Sequence, residues 1–117
     1  MKNLSIAKVR RYLLPVGTNV RATFLGKPLV VNGNAGTTVL PVAAPSLRVV
    51  VKQTANQMVS EYLDGPKKGE RSYCDWTGVK AREENGGVIL SKEMYAGRDE
   101  QNNDILEMTD FVRFDFV

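Results

Sequence analysis

Short segments in which apolar and polar residues alternate, bounded by Gly, Pro or Asn, run through most of this chain. Every second residue is apolar or small in residues 19–24, and residues 46–52 and 112–116 repeat the pattern. A period of two is typical of a β-strand with one buried face. We therefore expect a mainly β (α+β) fold, a small antiparallel sandwich or barrel of about six or seven strands.

The length of the chain fits a single domain. A chain of 117 residues can bury enough surface to fold around one core without disulfides or metal. Nothing in the sequence has the composition of a linker, a repeat or a low-complexity tract. We expect one domain spanning residues 1–117.

One helix is predicted, near residues 54–64. Thr54 followed by Gln57 fits a capping box, and apolar residues at Ala55, Met58, Val59, Tyr62 and Leu63 share one helical face. Gly65 and Pro66 would end it. This helix is expected to lie on the sheet.

Three other segments are assigned less directly. Residues 4–14 fit a short helix or an edge strand. The residues between Gly33 and Gly36 are expected to turn a hairpin, because Asn and Gly accept positive φ and strand-like residues flank them. Residues 92–104 are polar and are expected to form a long excursion from the sheet.

The charge is divided between the two halves of the chain. Residues 1–60 hold eight bases and no acid, whereas residues 61–117 hold thirteen acids against eight bases, so +8 and −5 give the net +3. A basic half could contact phosphates, or it could meet the acidic half of another copy in a head-to-tail contact. Alternatively, the two halves could interleave and neutralise each other within one molecule.

Residue types needed for catalysis are scarce. The chain has no His and a single Cys, Cys74, which removes the usual base for a Ser or Cys nucleophile and the usual zinc ligands. The acidic run from Asp99 to Asp104 lacks the spacing of a calcium loop. We expect no enzyme activity, no catalytic residue, no metal and no cofactor.

The candidate contact residues are aromatic and basic. Tyr73, Trp76 and Tyr95 occur near bases, as in single-strand nucleic-acid binders, protein interfaces and ordinary cores alike. The residues predicted to contact a protein partner or nucleic acid are Arg10, Arg11, Arg21, Lys67, Lys68, Arg71, Tyr73 and Trp76.

Residues 49–65 read VVVKQTANQMVSEYLDG. This segment, 17 of 117 residues, resembles small accessory structural proteins of tailed-phage virions, which carry a basic strand, a Thr-x-x-Gln opening and a short helix ending in Tyr-x-x-Gly. The resemblance implies a structural role at the head, its surface or its connector, and no catalytic residues.

Basic residues interrupt the first apolar run, whereas a signal peptide needs an uninterrupted one. No apolar stretch is long enough to cross a membrane. We therefore expect a non-enzymatic assembly protein of a virion, made in the host cytoplasm. Its expected partners are other virion proteins, further copies of itself, or both. A small single-stranded nucleic-acid-binding protein with a β platform is the main alternative, and a small inhibitor or host-takeover protein is a third.

Overall fold

The computed structural model describes residues 2–26, 29–33, 36–40 and 44–117. Its strands are β1 (Lys2–Leu4), β2 (Asn19–Phe24), β3 (Leu29–Gly33), β4 (Gly36–Leu40), β5 (Ser46–Gln53), β6 (Gln57–Tyr62), β7 (Arg71–Asp75), β8 (Lys80–Glu84), β9 (Gly87–Arg98) and β10 (Asp104–Phe116). A short helix, α1 (Ile6–Lys8), continues as a wider π-helical turn, Val9–Leu13.

Eight of the strands form one antiparallel sheet in the order β1-β8-β9-β10-β2-β5-β6-β7, and β3 pairs with β4 in a separate hairpin. The expected mainly β, antiparallel fold is confirmed. The described residues hold ten strands rather than six or seven. The additional strands are β1, β8 and β6, the last of which the sequence predicted as a helix. Residues 92–98, expected to leave the sheet, lengthen β9 instead.

A flat sheet of this order could not be built, because a short connection joins its distant strands. Six strand spacings of about 4.8 Å separate β8 from β7, which is about 29 Å. The chain from Asp75 to Lys80 reaches at most about 18 Å. The sheet must therefore curl, which brings its two ends together around a common interior.

The core fills the concave side of the curled sheet, and the helical segment closes it. Val9 and Leu14 of that segment are fully buried, while Gln53 of β5 donates its amide to the Leu14 carbonyl at 2.8 Å. Residues from both ends of the sheet join one apolar cluster. Its members are Leu4, Val9, Leu14, Val20, Ala22, Val50, Met58, Trp76, Val79, Ala81, Val88, Leu90, Val112 and Phe114.

The prediction of a helix near residues 54–64 is wrong, because residues 57–62 form the strand β6. The capping interaction itself is present: the Gln57 amide donates to Thr54 Oγ1 at 3.0 Å. It closes the hairpin turn between β5 and β6, in which the Thr54 amide also donates to the Gln57 carbonyl at 2.9 Å. Ladders with β5 and β7 satisfy the β6 backbone on both edges, and this outweighs the local helical pattern.

The helical residues lie instead in segment 4–14, where the sequence left helix and edge strand open. The helix is the alternative found there. β1, which pairs with β8 at the sheet edge, ends at Leu4, and Ser5 then caps α1 by accepting from the Lys8 amide at 3.1 Å. The hairpin around Gly33 and Gly36 is confirmed by the pairing of β3 with β4. Its two central residues lie outside the described part of the chain.

Candidate protein interface

The long hairpin of β9 and β10 extends beyond the rest of the sheet. β9 and β10 pair with each other from Val88 and Phe114 out to Arg98 and Asp104. In contrast, β8 pairs only with residues 87–91 of β9, and β2 only with residues 112–116 of β10. Residues 92–110, called the arm below, are therefore a ribbon of two strands that extends about 20 Å past its neighbours. Among the described strands, none pairs with its outer edges.

One face of the arm carries a row of large apolar side chains. Tyr95 lies directly opposite Leu106 in the ladder, and Met108 is two residues along on the same face. Their exposed fractions are 63%, 56% and 51%. Single exposed apolar residues are common on protein surfaces, but three adjacent ones on a protruding ribbon are typical of a surface that another molecule covers.

The arm is acidic. It holds two bases against six acids, a formal charge of −4, and its own ion pair is Arg98 with Asp104 at 3.4 Å. At its tip the Asp99 carboxylate accepts from the amides of Gln101 and Asn103, each at 2.9 Å. This bonding orders the turn. An acidic ribbon is repelled by phosphate backbones, so the arm suits a cationic, partly apolar protein surface.

A bidentate ion pair anchors the base of the arm. The Arg82 guanidinium of β8 donates to both carboxylate oxygens of Asp110, at 2.6 and 2.8 Å, and also to Glu84. This donation holds the pKa of Asp110 below its ordinary value and raises the pKa of Arg82. Two parallel charge-assisted bonds restrict orientation as well as distance. They hold the base of the arm against the neighbouring strand.

The ion pairs show how the two halves of the chain relate. The five pairs within the described residues all join partners from residues 61–117. Arg21 lies opposite Asp115 in the ladder, yet the Asp115 carboxylate pairs with Arg113 at 3.0 Å. The halves interleave in the sheet, but their described charges form no ion pair with each other. The described bases of residues 2–60 therefore have no carboxylate within ion-pair distance in this part of the structure.

Four of the eight predicted contact residues gather at the β6–β7 hairpin. Lys67 and Lys68 lie in its turn, and Arg71 and Tyr73 follow on β7; all four are exposed. Arg71 pairs with Glu61 at 3.7 Å. β7 is an outer strand of the sheet, so this cluster borders an edge without a neighbouring strand in the described residues.

Three other predicted residues lie elsewhere. Arg10 and Arg11 are on the π-helical turn, where Arg11 is exposed and Arg10 is half-buried, while Arg21 is exposed on β2. The eight residues therefore do not form one continuous surface.

Trp76 was predicted as a contact residue, and the structure contradicts this. It is 5% exposed and belongs to the core cluster, and its indole N–H donates to Gln53 Oε1 at 2.8 Å. It follows β7 at the tight connection that closes the sheet. A side chain in this position cannot stack on a nucleic-acid base.

The sequence pointed to Tyr95 but missed Leu106 and Met108. The alternation of Leu106, Glu107 and Met108 could have indicated a strand with one apolar face, but the surrounding polar residues obscured this pattern. Whether these residues are covered depends on which strands lie beside β9 and β10, and that is a property of the whole sheet.

The Cys74 thiol and the acidic side chains are the groups that bear on catalytic or metal chemistry. Burial raises the pKa of Cys74 to about 11, which disfavours the reactive thiolate. In the described ranges, no three or more Cys, Asp or Glu side chains gather in a way that could hold a metal ion. No helix in those ranges is long and apolar enough to cross a membrane.

Comparison with known proteins found no matching family model, no similar curated protein and no similar solved structure.

Proposed function

We propose that this protein is a non-enzymatic structural assembly protein of a virion and that the arm makes its main contact. The observation that carries the proposal is the row of Tyr95, Leu106 and Met108 on a ribbon whose two edges pair with no other described strand. Covering such a row on association removes apolar surface from water, which is the dominant favourable term in protein association. Unpaired strand edges can in addition accept main-chain hydrogen bonds from a neighbour.

The partner we propose is a second copy of this chain. The arm carries −4, and the first 60 residues carry eight bases and no acid. Among these bases Lys8, Arg11 and Lys52 are exposed, and within the described residues they are paired with no carboxylate. Complementary charge steers and orients association. A contact between unlike surfaces of identical chains is heterologous, and it repeats into a ring or a longer array.

The virion setting rests on a separate argument, the resemblance of residues 49–65 to accessory proteins of tailed phages. Because residues 57–62 are a strand, the resemblance is one of sequence only. The assembly role rests on the arm and does not depend on it.

Sedimentation velocity tests the assembly role. The wild-type chain is expected to form oligomers whose size grows with protein concentration and falls with added salt, since salt screens exposed charges. Replacing both Leu106 and Met108 by Ser should leave a folded monomer. Val16→Ser is the matched control, because Val16 is 60% exposed outside the arm, and this variant should still assemble. A wild-type chain that stays monomeric at every concentration would exclude self-assembly.

A single-stranded nucleic-acid-binding role is the second candidate, favoured by the exposed cluster of Lys67, Lys68, Arg71 and Tyr73. It predicts that an oligonucleotide binds with an affinity that falls steeply with salt. Replacing Lys67 and Lys68 by Ala should then weaken binding several-fold. No retardation of the oligonucleotide at low salt would eliminate this role.

A further inference from the structure

Arg48 lies on the concave face of β5 in an unusual setting for a charged residue. It is 3% exposed and sits opposite Val20 and Tyr62 in the ladders. Its Nε donates to Ser46 Oγ at 2.9 Å and its Nη2 to the Tyr62 hydroxyl at 3.0 Å. The guanidinium carbon also lies 4.3 Å from the centre of the Tyr62 ring. Two hydroxyls and an aromatic face thus hold the group in one orientation.

What Arg48 lacks is a counter-ion. Within the described residues no carboxylate lies within ion-pair distance of it, and Nη1 has no acceptor there. Burial lowers the pKa of Arg48 from its ordinary value. Buried charges in proteins are as a rule paired, so a buried guanidinium with donors to spare is a favourable place for an external anion.

A cavity of about 300 Å³ opens beside this group. Apolar side chains supply most of its wall, and Lys67, which is exposed, also lines it. Asp64 lines it as well, but its carboxylate accepts from the Leu47 amide at 3.0 Å. The apolar wall residues are Phe24, Ala44, Pro45, Tyr62 and Pro66. The volume is at the lower end for small-molecule sites.

We propose that this cavity binds a carboxylate attached to an apolar body about the size of one aromatic ring. Arg48 and Lys67 against Asp64 give the lining a formal charge of +1, which matches a monoanionic carboxylate better than a phosphate dianion. The end of a guanidinium presents two parallel N–H donors at the spacing of carboxylate oxygens. The carboxylate belongs either to a free organic acid or to an acidic side chain next to an aromatic residue in another protein. The inference is independent of the arm.

The test is an NMR titration of the full chain with 3-phenylpropionate, with its uncharged analogue 3-phenylpropanamide as the matched ligand. We expect saturable shifts around Arg48 with the acid and at least tenfold weaker binding of the amide. The peptide acetyl-Phe-Glu-amide distinguishes the two sources. Tighter binding of the peptide than of the acid indicates a protein segment, and the reverse indicates a free acid.

Arg48→Met removes the charge and keeps the length, and it should weaken acid binding at least tenfold. Arg21→Met, which removes an exposed guanidinium from the adjacent strand, should leave binding unchanged. If Arg48→Met does not fold, Lys67→Met provides the variant test, with affinity expected to fall several-fold. No binding of either carboxylate ligand overturns the proposal, as does equal binding of acid and amide. Unchanged affinity in the folded Arg48→Met protein overturns it too.

Discussion

Trp76 gives the sharpest test of the fold, because sequence and structure place it differently. It is the only tryptophan, so its fluorescence reports one site. Because the Trp76 side chain is only 5% exposed, its fluorescence emission should be blue-shifted and protected from iodide quenching. Both properties should be lost together when the protein unfolds. A red-shifted, readily quenched emission from the native protein would contradict the closure of the sheet described above.

The stability effect of Trp76→Phe follows from its contacts. The change removes the indole donor and leaves Gln53 Oε1 without its partner, which costs about 1–3 kcal/mol for a buried acceptor. The smaller ring leaves a space worth roughly another 1 kcal/mol. The unfolding entropy of a 117-residue chain is about 0.25 kcal/mol/K, so each kcal/mol shifts the Tm by about 4 °C. We expect a fall of roughly 8–16 °C.

Calorimetry measures this shift, and two further variants show its cause. Tyr73→Ala is the control. Tyr73 is 63% exposed on β7, so this substitution should change the free energy of unfolding by no more than about 0.5 kcal/mol. Gln53→Met combined with Trp76→Phe should be less destabilising than the sum of the single changes, by about 1 kcal/mol, because the two share one hydrogen bond. Equal effects of Trp76→Phe and Tyr73→Ala would refute a buried Trp76.

Three further outcomes are expected. Thiol modification of Cys74 at pH 8 should be at least tenfold slower in the native than in the unfolded chain, because burial raises its pKa to about 11 and suppresses the thiolate; equal rates would contradict this. The pairing of Asp110 with Arg82 lowers the pKa of Asp110 below 3.8, so its stabilisation is present above that pH and is lost as pH falls through the folded pKa. Asp110→Asn should therefore destabilise the protein by about 1 kcal/mol at pH 7, since the pair is partly exposed, and this effect should shrink as the pH falls below 3.8; an effect that stays the same across that range would refute the pairing. Gly87→Ala should lower the Tm by no more than a few degrees, because its Cβ would lie 2.5 Å from the Arg113 guanidinium, and this flexible side-chain end would have to move away from Asp115. Gly26→Ala, with open space around it, should leave the Tm unchanged.

The candidate interface was only partly accessible from sequence. The bases and Tyr73 of the β6–β7 hairpin were identified, because charged and aromatic residues are visible in any sequence. The row on the arm was not, since Leu106 and Met108 are ordinary strand residues until the sheet leaves them without a neighbour. Arg48 was counted among the basic residues of the first half. Its burial beside a cavity depends on Tyr62 and Phe24, which come from other strands.

The sequence by itself determined the mainly β, antiparallel character, the turn around Gly33 and Gly36 and the scarcity of catalytic residue types, because alternation, turn residues and composition are local properties. It could not assign residues 54–65, where Thr54 and Gln57 form the same bond in a helix cap and in a hairpin. Tertiary structure decided that segment through ladders on both of its edges. It also decided that Trp76 is buried and that the arm is exposed. The physical reason is the same in each case: burial and strand pairing depend on which distant segments become neighbours when the sheet curls, and no window of local sequence contains that information.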